Sequence, residues 1–219
     1  RFNYPHGMAL AKNGALYVSD TNNHTIRIVK SDGAVSTFAG TGSGGFSDGP
    51  GNIARFNSPR DIAFDGGGNL YVADYGNRRV RRIGVAGTVV TFAGTGAYGN
   101  VDGHVKTAQF GCPWGVGVDS IGNVFVSDYC YRRVRMIKGG VVSLLAGSGS
   151  TSHVDGFGKN ASFRYPRGLE VDAKGRILVA GDYSVRATTN NAKQCGDGNA
   201  CTADSCDDAT GKCVHKNAD

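Results

Sequence analysis

Short apolar runs alternate with polar turn residues along most of the chain. Within residues 56–94 the runs are separated by Gly, Asp and Asn, and they occupy positions 62–64, 70–74, 79–83 and 89–93. Runs of this length that are rich in β-branched and aromatic residues predict four short strands joined as an antiparallel meander. No segment sustains the helical apolar period of about 3.6 residues, so we expect almost no helix.

The same pattern occurs in four copies along the chain. Each copy opens with a phenylalanine, and these lie 54, 54 and 53 residues apart, at Phe2, Phe56, Phe110 and Phe163. The period divides the chain into repeats 1–54, 55–108, 109–161 and 162–190, followed by a segment of different composition at 191–219. A lone sheet cannot bury both of its faces, whereas repeated sheets stacked around an axis can. The repeats therefore predict an all-β propeller of about four blades.

The repeat motifs resemble those of the NHL repeat. They read P-x-G-[ILMV]-x-[VLF]-D, G-N-[ILV]-[YF]-V-[AS]-D, N-[HR]-x-[IV]-R and V-S-T-[FL]-A-G, and they cover residues 1–189, with an eroded fourth copy. The spacers are long, and each contains an Asp-Gly pair: Asp48-Gly49, Asp102-Gly103 and Asp155-Gly156. The resemblance implies a six-bladed ring. We expect upstream repeats to complete it; a second chain and a compact four-bladed ring are the alternatives.

Two of the six cysteines occur in the third repeat. If residues 119–122 form the hairpin turn, Val118 faces Asn123 and position 112 faces about position 129. Cys112 and Cys130 then lie within disulfide reach across the ladder. Such a bond contributes on the order of 3 kcal/mol. Two buried free thiols are the alternative.

The other four cysteines crowd the segment that follows the repeats, at Cys195, Cys201, Cys206 and Cys213. This segment has too few apolar residues for a core, which predicts a small disulfide-rich module. The spacing C-x5-C-x4-C-x6-C lacks the C-x2-C pairs typical of zinc sites. The segment resembles the cysteine-rich repeat of slime-mould prestalk extracellular-matrix proteins. Its acidic turns either connect disulfides or bind calcium through Asp197, Asn199, Asp204, Asp207 and Asp208.

Two sequons, at Asn23 and Asn160, predict N-glycosylation in loops. Together with disulfides they indicate an extracellular or cell-surface protein. No apolar run reaches the roughly 18 residues of a membrane span. The net charge of +6 resides largely in the strand arginines. We expect those arginines to be solvated and predict no nucleic-acid partner; they are Arg78, Arg79, Arg81, Arg82, Arg132, Arg133 and Arg135.

Catalytic motifs are lacking in the sequence: it has no G-x-S-x-G, no H-E-x-x-H and no P-loop, and its histidines show no metal-ligand spacing. We expect no enzyme activity, no metal and no cofactor, and we expect the repeated aspartates to bond backbone amides in turns. Those aspartates are Asp20, Asp74 and Asp128.

One variable position of the repeat favours binding. The residue that follows the repeat proline enters the innermost strand, so its equivalents ring one mouth of the axial channel: His6, Arg60, Trp114 and Arg167. Exposed Trp and Arg commonly anchor interfaces. We expect this mouth to bind a partner; packing of Trp114 between blades is the alternative.

The sequence as a whole predicts a structural or adhesive protein of an extracellular matrix, cell-surface appendage or filament. Its partners would be other extracellular or filament proteins, glycans, or further copies of itself. A metal-dependent propeller enzyme of the lyase or hydrolase type is the first alternative. An RNA-binding NHL scaffold is the second.

Overall fold

The structure, a computed structural model, describes residues 1–156, 158–181 and 184–189. The four cysteines and the acidic residues of the 191–219 segment lie outside this part. The described strands are β1 (Pro5–Leu10), β2 (Leu16–Asp20), β3 (Thr25–Val29), β4 (Val35–Ala39), β5 (Gly49–Pro50), β6 (Pro59–Phe64), β7 (Leu70–Asp74), β8 (Arg79–Ile83), β9 (Thr88–Ala93), β10 (Gly103–His104), β11 (Pro113–Val118), β12 (Val124–Asp128), β13 (Arg133–Lys138), β14 (Val141–Ala146), β15 (Leu169–Val171), β16 (Arg176–Gly181) and β17 (Ser184–Thr189).

The strands form four antiparallel sheets, one for each repeat. Their orders are β1-β2-β3-β4, β5-β9-β8-β7-β6, β10-β14-β13-β12-β11 and β15-β16-β17. The innermost strands β1, β6, β11 and β15 contact one another in that sequence around an axis. The fold is therefore an all-β, four-bladed propeller, as the repeats predict. The helical segments of the described residues are short 3-10 turns, and none is long and apolar enough to cross a membrane.

The hairpin turn of the third blade differs by one residue from the predicted register. Val118 pairs with Val124, and the Asp119 N–H donates to the carbonyl of Asn123. The Asp119 carboxylate also accepts from the Asn123 backbone N–H and side-chain amide. This five-residue turn is longer than predicted, because the aspartate and asparagine close it with their side chains.

The spacers add strands that the sequence pattern did not predict. The short strands β5 and β10 each pair with the outermost strand of the blade that follows them in the chain. Two residues provide little ladder energy alone, so other contacts must hold each spacer in place. Those contacts come from Arg81 and Arg135.

The expectation that all the strand arginines are solvated is wrong for these two, which are fully buried. Arg81 contacts Asp48 of the spacer at 2.5 Å and Asp74 at 2.8 Å, and its Nη1 donates to the Arg55 carbonyl. Arg135 pairs in the same way with Asp102. The charges are tolerated inside because carboxylates and carbonyls satisfy the guanidinium groups.

Apolar clusters fill the space between successive blades. Ile26 of the first blade packs with Ile62 and Val72 of the second, and Val80 of the second packs with Val116 of the third. Among the described residues, no blade covers the face of the first blade that is turned away from the second. Met8 of that face is 67% exposed, whereas its repeat equivalent Ile62 is 3% exposed. Burial in this fold therefore depends on a neighbouring blade.

Candidate functional site

In the first three blades, a β-bulge directs the residue after the repeat proline toward the propeller axis. In the second blade Pro59 pairs with Asp74 and Ile62 with Val72, so Arg60 and Asp61 together oppose one residue of β7. The first and third blades have the same irregularity at their prolines. Bulges bend a strand and re-aim its side chains. This local geometry places the variable residue of each repeat at one end of the axis.

The four predicted mouth residues lie together around one open cavity of about 520 Å³. We call this cavity the axial mouth. His6, Arg60, Trp114 and Arg167 line it, one from each blade, and Tyr4 and Asp61 complete much of its wall. The sequence pattern thus identified residues that the fold brings together from positions more than 50 residues apart in the chain.

Aromatic rings surround Trp114 on several sides. Its ring centroid lies 5.5 Å from His6, 5.6 Å from Tyr75 and 5.0 Å from Tyr129. Tyr129 in turn stacks on Tyr165 at 5.1 Å. Trp114 is only partly buried, so it contacts neighbouring blades and also faces the axial mouth. The two interpretations of Trp114 from the sequence, a place at the mouth and packing between blades, therefore each describe part of its surroundings.

Two guanidinium groups lie over the indole. The Cζ atom of Arg60 is 4.4 Å from the Trp114 centroid, and that of Arg167 is 5.6 Å away. Arg60 also contacts the Nε2 atom of His6 through Nη1. Desolvation, together with the charges of Arg60 and Arg167, lowers the pKa of His6. The axial mouth is therefore a site of positive potential lined by aromatic rings.

Asp61 is a residue of the axial mouth that the sequence reasoning missed. Its Oδ1 accepts from the Ile62 N–H at 3.0 Å, and its Oδ2 accepts from the Val116 N–H of the next blade at 3.2 Å. Burial raises the pKa of Asp61 to about 7, with a smaller contribution from Glu170, although backbone N–H groups including that of Leu169 oppose this shift. The signal was available, since the other repeats have glycine here, in Pro-x-Gly.

A second substitution accompanies Asp61. In the first blade the Ser19 hydroxyl accepts from the Gly7 N–H and donates to the Arg60 carbonyl of the next blade. Ser127 of the third blade does the same for Gly115 and Arg167. The second blade has Ala73 at the serine position. An Asp–Ala pair there replaces the Gly–Ser pair, and the aspartate carboxylate makes the bond to the neighbouring blade instead.

The repeated aspartates bond backbone amides, as predicted, although in a neighbouring segment. Asp20 and Asp74 accept from the backbone N–H of Asn3 and Asn57, 17 residues upstream, at 2.7 and 2.8 Å. Asp128 makes the corresponding bonds in the third blade. Burial raises the pKa of Asp74 and of Asp128. These carboxylates fix the start of each inner strand, and hence the position of the residues in the axial mouth.

A disulfide supports the same region in the third blade. The structure joins Cys112 to Cys130 with a Cα–Cα distance of 5.2 Å. Cys112 directly precedes Pro113 and Trp114, and the bond ties this start of β11 to the loop after β12. The predicted register at the hairpin turn was wrong by one residue, but the predicted pairing of these cysteines still holds. The Tyr129 N–H donates to the Cys112 carbonyl, which keeps the two cysteines close together.

The predicted glycosylation positions differ in their surroundings. The Asn160 side chain is exposed in a short 3-10 turn. Asn23 is half-buried, and its amide nitrogen donates to the Asp20 carboxylate at 2.8 Å. Asn160 is therefore the more accessible acceptor. Among the residues that the structure describes, no group of three His, Cys, Asp or Glu side chains is arranged to hold a metal ion.

Comparisons with known proteins agree with this architecture. A family model described as "NHL repeat" matches residues 2–29 and 56–83, and one described as "Dictyostelium (slime mold) repeat" matches residues 194–217. NHL repeat-containing protein 2 of Homo sapiens is 28% identical over a 268-residue alignment, which covers 100% of this chain and 37% of that protein.

Two solved structures share the fold. One is a Bacteroides thetaiotaomicron protein of unknown function, with a TM-score of 0.68, 25% identity, and coverage of 81% of this chain and 44% of that chain. The other is an auxiliary nutrient binding protein from Bacteroides ovatus, with a TM-score of 0.66, 17% identity, and coverage of 85% and 48%. The chain thus spans less than half the length of each of these three proteins. It carries NHL repeats, and its described residues fold into a four-bladed β-propeller built from them.

Proposed function

We propose that this propeller is an interaction module of an extracellular structural or adhesive assembly and that its partner binds at the axial mouth. One observation carries the proposal: four blades each contribute one variable side chain to a single open cavity. If each of these residues only stabilised its own blade, the equivalent residues of the four blades would not need to line the same cavity. A partly buried Trp flanked by Arg is the composition of an interface anchor.

The extracellular assignment is supported by two features of the cysteines. Disulfides persist in oxidising compartments, and one joins Cys112 to Cys130. Residues 194–217, which match the model described as "Dictyostelium (slime mold) repeat", contain four further cysteines, and we propose that these form a cysteine-rich unit. The partners we propose are other extracellular or filament proteins, glycans, or further copies of this chain. Calcium bound at the acidic turns of that unit remains part of the proposal.

We propose that the protein acts without catalysis and, apart from calcium at these acidic turns, without a cofactor. The buried carboxylates of Asp20, Asp74 and Asp128 accept backbone N–H bonds, so the proposal gives these repeated aspartates a structural role. Two of the strand arginines, Arg81 and Arg135, are buried in ion pairs. They are therefore not available to bind RNA.

The compartment can be tested on the native, non-reduced protein by intact mass and peptide mapping. We expect the mass to be lower by six hydrogens, one for each of the six cysteines, with a glycan on Asn160. Six free thiols and unmodified asparagines would contradict an extracellular role.

The binding role is tested by sedimentation of the full chain over a range of concentrations and with solubilised matrix proteins. Substitution of Trp114→Ala should reduce association, whereas the exposed Lys138→Gln on a strand far from the axial mouth should not. If both variants associate like the wild type, the axial mouth is not the contact surface.

A further inference from the structure

Two tyrosines join the spacer that contains Asp102 to the third blade, outside the axial mouth. The ring centroids of Tyr98 and Tyr131 lie 5.4 Å apart, with an angle of 37° between the ring planes. Desolvation and the neighbouring phenol of Tyr98 raise the pKa of Tyr131, so the hydroxyl ends of the two rings are also close. Because the ortho carbons flank the hydroxyl group, this arrangement brings the ortho carbons of both rings together.

The tyrosine pair replaces a different link that the second blade makes at the same place. There the side-chain amide of Asn77 donates to the Gly45 carbonyl of the preceding spacer at 2.7 Å. Tyr131 occupies the repeat position of Asn77, and Tyr98 directly precedes Gly99, the equivalent of Gly45. A ring contact thus takes over the connection that an amide hydrogen bond makes in the second blade.

The surroundings of the two rings differ. Gly111 makes room for Tyr131, because a Cβ atom at position 111 would lie 2.6 Å from the ring carbon Cδ2, and the second repeat has Asn57 at this position. Tyr98 is 57% exposed, and the Cζ atom of Arg78 lies 5.6 Å from its ring centre. One ring is therefore fitted into the blade, and the other is accessible to a reagent in solution.

We propose that Tyr98 and Tyr131 are a site of oxidative cross-linking, at which hydrogen peroxide and a haem peroxidase join the two rings as dityrosine. The peroxidase removes one electron and one proton from each phenol, and these reduce one hydrogen peroxide to two molecules of water. A carbon–carbon bond forms between one ortho carbon of each ring, and the proton of each of these carbons moves to the phenol oxygen of its own ring. The chain loses two hydrogens and keeps both hydroxyl groups. The site needs no ligand at the axial mouth, so it does not rest on the proposed function.

One other pair of tyrosines is in ring contact in the part of the chain that the structure describes. Tyr129 and Tyr165 stack at 5.1 Å with only 25° between their planes, so their faces meet rather than their ortho edges. Both are partly buried, and Trp114 lies 5.0 Å from Tyr129. We therefore expect coupling at Tyr98, where one ring is exposed, and not at this stack.

The test treats the full, disulfide-intact chain with a haem peroxidase and limiting hydrogen peroxide. We expect dityrosine fluorescence and a monomer that is lighter by two hydrogens. After reduction of the disulfide, trypsin should release residues 83–106 and 107–132 as one joined peptide, which carries the link between Tyr98 and Tyr131. Because the two rings are held in one chain, the yield per chain should not fall when the protein is diluted.

Tyr98→Phe and Tyr131→Phe each keep a ring in place but remove a phenol that must be oxidised, so each should abolish the joined peptide. Tyr17→Phe is the control, since Tyr17 packs against Phe38 and Phe64 of the first two blades, and it should couple like the wild type. Thermal unfolding followed by circular dichroism will establish that each variant is folded. Coupling of N-acetyltyrosine in a parallel reaction will establish that the oxidant is active.

Three results would overturn the inference: a joined peptide that persists in Tyr98→Phe, an internal link between other tyrosines, or cross-linked dimers whose yield falls on dilution. A wild-type chain that gives separate peptides while N-acetyltyrosine couples would also overturn it. The tyrosine pair would then serve only to pack the spacer on the third blade, and binding at the axial mouth would be unaffected by that result.

Discussion

Asp61 should make the stability of the propeller fall as pH rises. Its pKa is raised from 3.8 to about 7 in the folded state, so between these values the folded chain holds a proton that the unfolded chain has released. Stability is then highest when the carboxyl is protonated and decreases as pH rises toward the folded pKa. At about 1.36 kcal/mol per pKa unit the full penalty is about 4 kcal/mol, of which about 2.5 kcal/mol develops between pH 5 and pH 8.

The other blades suggest a variant that removes the titrating carboxyl of Asp61 and keeps a hydrogen bond between the second and third blades. Asp61→Gly combined with Ala73→Ser installs the Gly–Ser pair of the first and third blades, in which Ser19 or Ser127 bonds the next blade. Urea unfolding at several pH values, followed by far-ultraviolet circular dichroism, gives the free energy of unfolding of both chains. Their difference should change by about 2.5 kcal/mol between pH 5 and pH 8, in favour of the variant at high pH.

The control is Asp172→Asn, which removes a partly exposed carboxyl whose hydrogen bonds to Arg176 hold its pKa below the usual range. That group is ionised in both states between pH 5 and pH 8, so its removal should leave the pH dependence unchanged. The lowered pKa of His6 acts in the opposite direction, but His6 is present in every chain compared. The reasoning is refuted if the wild type and the double variant have parallel stability curves over this range.

Three further variants test the contacts that shape the blades. Arg81→Met leaves Asp74 buried without its ion pair and should lower the free energy of unfolding by about 3–5 kcal/mol in urea titrations. Replacement of Cys112 and Cys130 by serine opens a loop closed over 18 residues and should cost about 3 kcal/mol, a loss that added reductant should reproduce in the wild type. Gly115→Ala places a methyl group 2.2 Å from the backbone carbonyl oxygen of Arg167. It should lower the free energy of unfolding by about 1–3 kcal/mol.

The substitutions of Arg81 and Gly115 each have a matched control in the same chain. Arg82→Met changes the next, partly exposed residue of β8 and should cost much less than the substitution of Arg81. Gly66→Ala adds a methyl group where nothing lies within 4 Å, so it should be nearly neutral. Equal losses for target and control would mean that burial of the ion pair, or the close approach at Gly115, does not determine stability.

Periodicity in the sequence was sufficient to predict the blades. The apolar runs 70–74 and 79–83 coincide with β7 and β8, because alternation and turn residues are local signals. The burial of Arg81 could not be inferred in this way, since it depends on Asp48 from a distant spacer. A longer-range signal was nevertheless present: an Asp-Gly spacer precedes each such arginine, 33 residues upstream for Asp48 and Arg81.

The sequence predicted the part of the candidate site where one repeat position carries different side-chain types. It did not predict the part where a glycine position of the repeat carries an aspartate. His6, Arg60 and Trp114 differ in side-chain type at one position, which marked them for recognition. Asp61 was overlooked because one aspartate in place of a glycine resembles ordinary divergence. Its role is visible only in the structure, where the Asp61 carboxylate accepts from the Val116 N–H. This hydrogen bond between blades replaces the one that a serine hydroxyl makes in the first and third blades, because the second blade has Ala73 at the serine position.

A tensile load between the chain ends would reach the blades unequally. One repeat of 54 residues extends to about 19 nm when pulled straight. The disulfide withholds residues 112–130 from that extension, so the third blade can lengthen by only about 12–13 nm. Force then passes through the sulfur atoms and bypasses the enclosed segment, which contains Trp114 and Tyr129. In a load-bearing tether, the part of the axial mouth that the third blade contributes would thus lie inside a covalent loop that stretching does not straighten.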